Sequence, residues 1–259
     1  MNPFDLSGRV AVVTGGNGGL GLGMAAGLAR AGCAVSVWGR NDEKNAFAVE
    51  TLREIGGGEV EALACDVTDE ASVGECMAAT LARFGRVDGM FANAGHGGGA
   101  KPSADRTAAE WRALMAVNLD GVVNCFQAAT RHMVERSKAG EPFGRLVATS
   151  SVAGLEGAAY NEHYGASKGA VNAYVRALAV ELARHGITVN AILPGWCESE
   201  MTADTFANEK FVANVMPRIP ARRFGRPDDF EAVSVYLMSE GSAYQTGQPF
   251  VLDGGYTIF

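Results

Sequence analysis

Residues 10–30 read VAVVTGGNGGLGLGMAAGLAR. An apolar run of strand length, Val10 to Thr14, passes without a spacer into the glycine-rich TGGNGGLG of residues 14–21, and helix-forming sequence follows at once. Glycines let the backbone turn sharply and approach a ligand closely, while the free N–H groups and positive end of the next helix stabilise negative charge. Strand, turn and helix in this order make a pyrophosphate cradle at the head of a βαβ unit. The alternative is an ordinary glycine-rich turn, which the position directly after the first strand disfavours. Gly15, Asn17, Gly18, Gly19, Leu20 and Gly21 are the candidate cradle residues.

Further strand-length runs recur at Ala34 to Trp38, Val60 to Ala64, Val87 to Ala92, Arg145 to Ser150, Thr188 to Leu193 and Phe250 to Leu252, with amphipathic helix-length stretches between them. Strands that alternate with helices pair in parallel, because each crossover helix covers one face of the sheet. The expectation is an α/β fold, doubly wound, with one seven-stranded sheet and helices on both faces. The longest helices are expected over Ala109 to Lys138, broken near Asn118, and His163 to Arg184, ending before Gly186. Two stretches interrupt the alternation: Gly95 to Ala100, and Trp196 to Arg226 with its two prolines. Both follow strands, where ligands of open parallel sheets bind, so about 196–226 is read as a substrate loop.

A length of 259 residues suits one such domain over residues 1–259, and no repeat or low-complexity linker divides it. Apolar residues at 47% and charged residues at 20% describe a globular chain and exclude a disordered one. A net charge of −7 with scattered basic residues argues against nucleic acid as a partner. Cys33, Cys65, Cys76, Cys125 and Cys197 lack a CxxC pair or metal-ligand spacing and read as buried thiols, with no metal site. No apolar run reaches the roughly 20 residues needed to cross a bilayer, and no signal core precedes the first strand. The expected location is cytoplasmic, without a membrane partner.

Strand two ends in VSVWGRN, with Gly39 and Arg40 where a carboxylate would hold the ribose hydroxyls of NAD. A guanidinium can instead bind a 2′-phosphate through paired charge-assisted hydrogen bonds, so NADP(H) is favoured and NAD(H) remains possible. Arg40 could also be a solvated helix-entry residue paired with Asp42 or Glu43. Asn41 stands beside it. Past strand three, Asp66 and Val67 in CDVTD are placed at the adenine; Asp66 could accept from the adenine amino group or cap the next helix, for which Asp69 is the better candidate.

Tyr164 and Lys168 lie one helical turn apart in YGASK. A phenol near pKa 10 exchanges protons poorly at neutral pH, and an adjacent ammonium would lower it towards the working range, making Tyr164 an acid/base. Ser151, after strand five, could orient the reacting oxygen, and Asn118 could break its helix and hold a water linked to Lys168. Tyr160 has Tyr164, not a lysine, four residues on, and is assigned to the substrate wall.

TGGNGGLG, CDVTD, ANAG (residues 92–95), VNLDG, SSVAG, YGASK, LPGW (residues 193–196) and GQPFVLDGGYT together resemble the short-chain dehydrogenase/reductases over nearly the whole chain. Within that family the resemblance is to 3-oxoacyl-acyl-carrier-protein-reductase-like and sugar-acid-dehydrogenase-like members, the latter through FDLSGRVAVVTG and GLGLGMAAGLA. It implies a Rossmann-like fold, hydride transfer between NAD(P)(H) and a carbonyl or secondary alcohol, and an Asn118, Ser151, Tyr164, Lys168 tetrad. Ser151 is chosen over Ser150 because the family places its serine thirteen residues before the tyrosine. The resemblance also gives Lys168 a contact with the nicotinamide ribose. It places Asn93, Ala94 and Gly95 at the adenine-side ribose, and Pro194, Gly195, Ser199 and Met201 beside the nicotinamide. Gly18 stands where NADP-dependent members often carry a basic residue, which leaves Arg40 as the main support for NADP(H).

The candidate pocket for a small carbonyl or alcohol substrate comprises His96, Leu155, Glu156, Tyr160, His163 and Trp196. For both histidines a plain structural role is an equal reading. Two other functions compete: a catalytically silent cofactor-binding sensor or scaffold, which predicts a damaged Tyr, Lys or Ser where none is damaged, and an epimerase or dehydratase of the same fold. A C-terminal helix is expected over Asp228 to Ser239, and by family analogy this helix and the final strand with GGYTIF point to a homotetramer.

Overall fold

The computed structural model of the chain describes residues 2–259. The first half runs β1 (Val10–Thr14), α1 (Gly19–Arg30), β2 (Ala34–Gly39), α2 (Asp42–Ile55), β3 (Val60–Ala64), α3 (Glu70–Phe84), β4 (Gly89–Ala92), α4 (Ala108–Met115) and α5 (Gly121–Lys138). The second half adds β5 (Gly144–Thr149), α6 (Glu162–Leu182), β6 (Ile187–Pro194), α7 (Ala203–Phe206), α8 (Glu209–Val215), α9 (Glu231–Met238) and β7 (Pro249–Leu252). The seven strands form one sheet in the order β3-β2-β1-β4-β5-β6-β7, every neighbouring pair parallel. The expected fold and all seven expected strands are present.

Strand order reverses between β1 and β4, which opens a crevice at their carboxyl ends. The glycine loop after β1 and Asn93 to Gly95 after β4 therefore meet at one place. Alternation along β1 serves two cores, since Val12 packs on one face of the sheet while Ala11 and Val13 pack on the other. A third, smaller cluster lies in the loop after β6, where Phe206 stacks on Phe224 with ring centroids 3.9 Å apart and Trp196 packs edge-on against Phe211.

Three details depart from the expected elements. The fourth strand begins at Gly89, not Val87, and just before it the buried Asp88 carboxylate takes the Val10 N–H at 3.0 Å. The same carboxylate is bonded by Arg86 at 2.7 and 2.8 Å and lies 2.9 Å from the Arg136 guanidinium. The break near Asn118 is a single π-helical turn over Ala116–Asp120, so α4 and α5 continue one another with an offset. The C-terminal helix is split into a 3-10 turn at Pro227–Phe230 and α9.

Helix α1 carries glycine where it meets that segment. A Cβ at Gly23 would overlap the Pro227 carbonyl, and one at Gly27 would lie 2.7 Å from the Glu231 Cα. The two backbones are thus in direct contact, which no other residue permits. All five cysteines are buried and unpaired, as expected. Among the described residues, no helix is long and apolar enough to cross a membrane.

Candidate active site

A cavity of about 480 Å³ lies over the crevice. Gly15, with φ of +63°, turns the chain out of β1 and packs against Ala94, where a Cβ would approach the Ala94 Cα to 3.1 Å. Gly18 is the residue before α1 and offers no side chain to cap it, and no acidic residue stands in the first turn. The helix start is therefore left with free N–H groups and uncompensated positive character beside the cavity, as a pyrophosphate requires. A Cβ at Gly21 would strike the Gly15 carbonyl and the Asn93 amide, so Gly21 lies beneath the cradle and does not line it. The residues present fit a dinucleotide.

Every other expected cofactor residue lines this cavity. Some of them have structural work as well. The Asn17 amide donates to Asn45 Oδ1 at 2.8 Å, and Asn45 in turn donates to the Gly39 carbonyl, a brace unread in the sequence. The Asn41 side chain caps α2 by accepting the Lys44 N–H at 2.9 Å. Asp69, not Asp66, caps α3, as expected. Asp66 accepts the Thr68 N–H and hydroxyl, which hold its carboxyl below the usual range and keep it charged. Asn93 donates to the Thr14 carbonyl at 3.1 Å and accepts from Thr149 at 3.1 Å, tying the ends of β1 and β5 together. Arg40 is exposed, and no carboxylate lies within ion-pair distance of it among the described residues, so the alternative pairing with Asp42 or Glu43 is not formed.

Ser151, Tyr164 and Lys168 face the same cavity from β5 and α6. The Ser151 Oγ accepts the Ala153 N–H at 3.1 Å, and Ser151 and Tyr164 line the cavity together. Ser150 is turned away, donating to the Lys168 carbonyl at 3.0 Å, which leaves Ser151 as the serine of the pair beside Tyr164. Lys168 is 4% exposed and donates to the Thr149 carbonyl at 2.8 Å. Burial alone draws its ammonium down to about 8. Burial raises the Tyr164 phenol, and the neighbouring Ser151 hydroxyl partly opposes this. The expected lowering of Tyr164 by Lys168 is therefore not seen: the ammonium lies 5.6 Å from the ring centroid and is spent on a backbone carbonyl.

Asn118 is fully buried in the π turn and bonds the His96 backbone twice, its Oδ1 accepting from the N–H and its Nδ2 donating to the carbonyl, both at 3.0 Å. A Cβ on Gly95 would sit 3.1 Å from that Oδ1 and 3.6 Å from Lys168 Nζ. Asn118 thus holds the loop after β4 against Lys168.

The expected substrate wall is only partly assembled. His96 lines the cavity, whereas Trp196 lines a neighbouring one of about 270 Å³. Leu155, Glu156 and Tyr160 are exposed. His163 is buried, and its Nε2 takes a hydrogen bond from Arg106 at 2.9 Å, so it supports the wall from behind. Burial, with the Arg106 guanidinium beside it, holds this imidazole below its usual pKa. Arg106 also donates to Glu162 at 3.0 Å and to the carbonyls of Gly99 and Tyr160 at 3.1 Å. The Tyr160 backbone has φ of +64°, a conformation strained for tyrosine. Among the described residues, no cluster of His, Cys, Asp and Glu is placed to hold a metal ion.

A family model described as enoyl-(acyl carrier protein) reductase matches residues 15–257. The chain is 34% identical to gluconate 5-dehydrogenase of Gluconobacter oxydans (strain 621H), over 98% of this chain and 97% of the other. A protein from Beutenbergia cavernae described as an NAD(P)-dependent gluconate 5-dehydrogenase, with NADP bound at low occupancy, superimposes with a TM-score of 0.92 at 34% identity over the whole of both chains. An NAD+-bound xylitol dehydrogenase superimposes with a TM-score of 0.90 at 30% identity, over 96% of this chain and 99% of that one. The chain belongs to the short-chain dehydrogenase/reductase family.

Proposed function

We propose that this short-chain dehydrogenase/reductase is an NAD(P)(H)-dependent oxidoreductase that interconverts a small-molecule carbonyl and a secondary alcohol. The observation that carries the reading is the convergence of Ser151, Tyr164 and Lys168 on the cavity that the glycine cradle opens into. A bound nicotinamide would supply or accept the hydride. Tyr164 gives its hydroxyl proton to the nascent alkoxide, and Ser151 holds the same oxygen in place. Lys168 is assigned the nicotinamide-side ribose and brings positive charge to the same cavity. Asn118 keeps the loop after β4 seated against Lys168.

NADP(H) is assigned over NAD(H) on the free, exposed Arg40 at the end of β2, while solved relatives carry either cofactor. Residues 196–226, with their own aromatic cluster, are assigned as the substrate loop. A homotetramer and a cytoplasmic location are assigned by analogy with the family, and the exposed apolar Val251 on the edge strand β7, Ile258 and Phe259 fit association between copies. Light scattering that reports a monomer at micromolar concentration overturns this.

Fluorescence titration with NADPH and NADH, in parallel with Arg40→Ala, tests the cofactor assignment. Tighter NADPH binding that weakens in the variant is expected. Equal or tighter NADH binding overturns the preference, and binding of neither overturns the oxidoreductase reading.

A further inference from the structure

Lys44 and Glu200 meet across the mouth of the cofactor cleft, with Nζ 2.5 Å from Oε2. Lys44 is in the first turn of α2, Glu200 directly follows Ser199 in the loop after β6, and both line the main cavity. Arg40 borders the same cavity. Besides Lys168, the cavity is thus lined by two cations, Arg40 and Lys44, and by the carboxylates of Asp66 and Glu200, of which only Glu200 is in ion-pair contact among the described residues, with Lys44. Lys44 is 44% exposed and Glu200 81% exposed, and ion pairs in water are held weakly. A phosphate carries more charge than a carboxylate and presents three acceptor oxygens, so it displaces Glu200 from Lys44 when it arrives within reach.

We propose that Lys44 is a second cation for the 2′-phosphate of NADP(H), exchanged between Glu200 in the free protein and the phosphate in the complex. Glu200 is then a specificity-determining residue that opposes NADP(H) binding, although it lies far from Arg40 in sequence. The inference rests on the dinucleotide-binding reading above and adds two residues to it. A ribose with a free 2′-hydroxyl gives Lys44 nothing to exchange for, so the strap between α2 and the loop stays closed over NAD(H). NADP(H) opens it and frees residues 199–202.

The test is fluorescence titration with NADPH and with NADH on the wild type, Lys44→Met, Lys44→Arg and Glu200→Gln. Lys44→Met is expected to weaken NADPH about tenfold and leave NADH within about twofold, the loss of one charge-assisted contact. Lys44→Arg should retain most of the NADPH affinity, and Glu200→Gln should tighten NADPH roughly threefold with NADH unchanged. An unchanged NADPH to NADH ratio in Lys44→Met overturns the proposal, as does an equal loss for both cofactors, which would place Lys44 on the pyrophosphate. Glu200→Gln without tighter NADPH binding overturns the exchange. A wild type that binds neither cofactor is a different failure, that of the oxidoreductase reading itself.

Discussion

The Lys168 ammonium donates to the Thr149 carbonyl oxygen 2.8 Å away, a neutral partner at the end of β5. A backbone dipole compensates a buried charge only in part, which is why burial draws this lysine down to about 8. Ordinary lysines keep their proton well beyond that.

Carbonyl reduction needs Tyr164 protonated and Lys168 charged. Burial raises the phenol and lowers the ammonium, so Lys168 loses its proton first as pH rises. The kcat/KM for reduction is expected to fall above about pH 8, read from initial rates across the pH range. A profile flat well past that point would refute the assignment.

Lys168 also makes stability depend on pH. Its value in the folded chain is below the ordinary 10.5, so the unfolded chain binds more protons between about 8 and 10.5, and the fold gains stability as pH rises through that window. Relative to Lys168→Met, the wild type should gain roughly 3 kcal/mol across it. Urea unfolding of both proteins at each end of the window measures this; parallel curves would contradict it.

Tyr164→Phe removes one hydroxyl and leaves the ring in the cavity wall. Turnover should drop by roughly a thousandfold while NADPH affinity stays near wild type. Steady-state rates and cofactor titration separate the two, and activity near wild type would dismiss Tyr164 as the acid.

Gly18 borders the cavity in extended backbone, and a Cβ there meets nothing within 4 Å. An arginine is therefore tolerated and adds a guanidinium at the phosphate end. Gly18→Arg should tighten NADPH about tenfold and change NADH little, as one charge-assisted contact would. Titration showing no shift in the ratio would mean the 2′-phosphate binds elsewhere.

Arg106 ties the loop after β4 to the start of α6. Arg106→Gln leaves the Glu162 carboxylate and the carbonyls of Gly99 and Tyr160 without their donor. The variant should lose about 2–4 kcal/mol in denaturant unfolding and raise KM more than it lowers kcat. Conservation of both values would show that the wall stands without it.

The cofactor end was legible because its signal is local: a strand, glycines and a helix start within residues 10–21. Tyr164 and Lys168 were legible for the same reason, being one turn apart. The substrate wall was not. His163 reads like any helix-start histidine until Arg106 reaches it from 57 positions away, and Tyr160 gives no sequence sign of its positive φ. Lys44 and Glu200 are 156 positions apart and look like solvated charges. The shift of Tyr164 was misjudged because helical spacing fixes which side chains share a face but not how far each reaches or what backbone group competes for it.

The direct backbone contact of α1 with residues 227–231 has a consequence for how the chain is made. The glycine loop leaves the ribosome long before residues 227–231, the surface that braces its helix. Until that late segment arrives, α1 has a bare glycine face and weak intrinsic helicity. The nucleotide cradle is thus completed only once residues 227–231 have been made, and a chain truncated before residue 227 would carry the motif without the scaffold that holds it in shape.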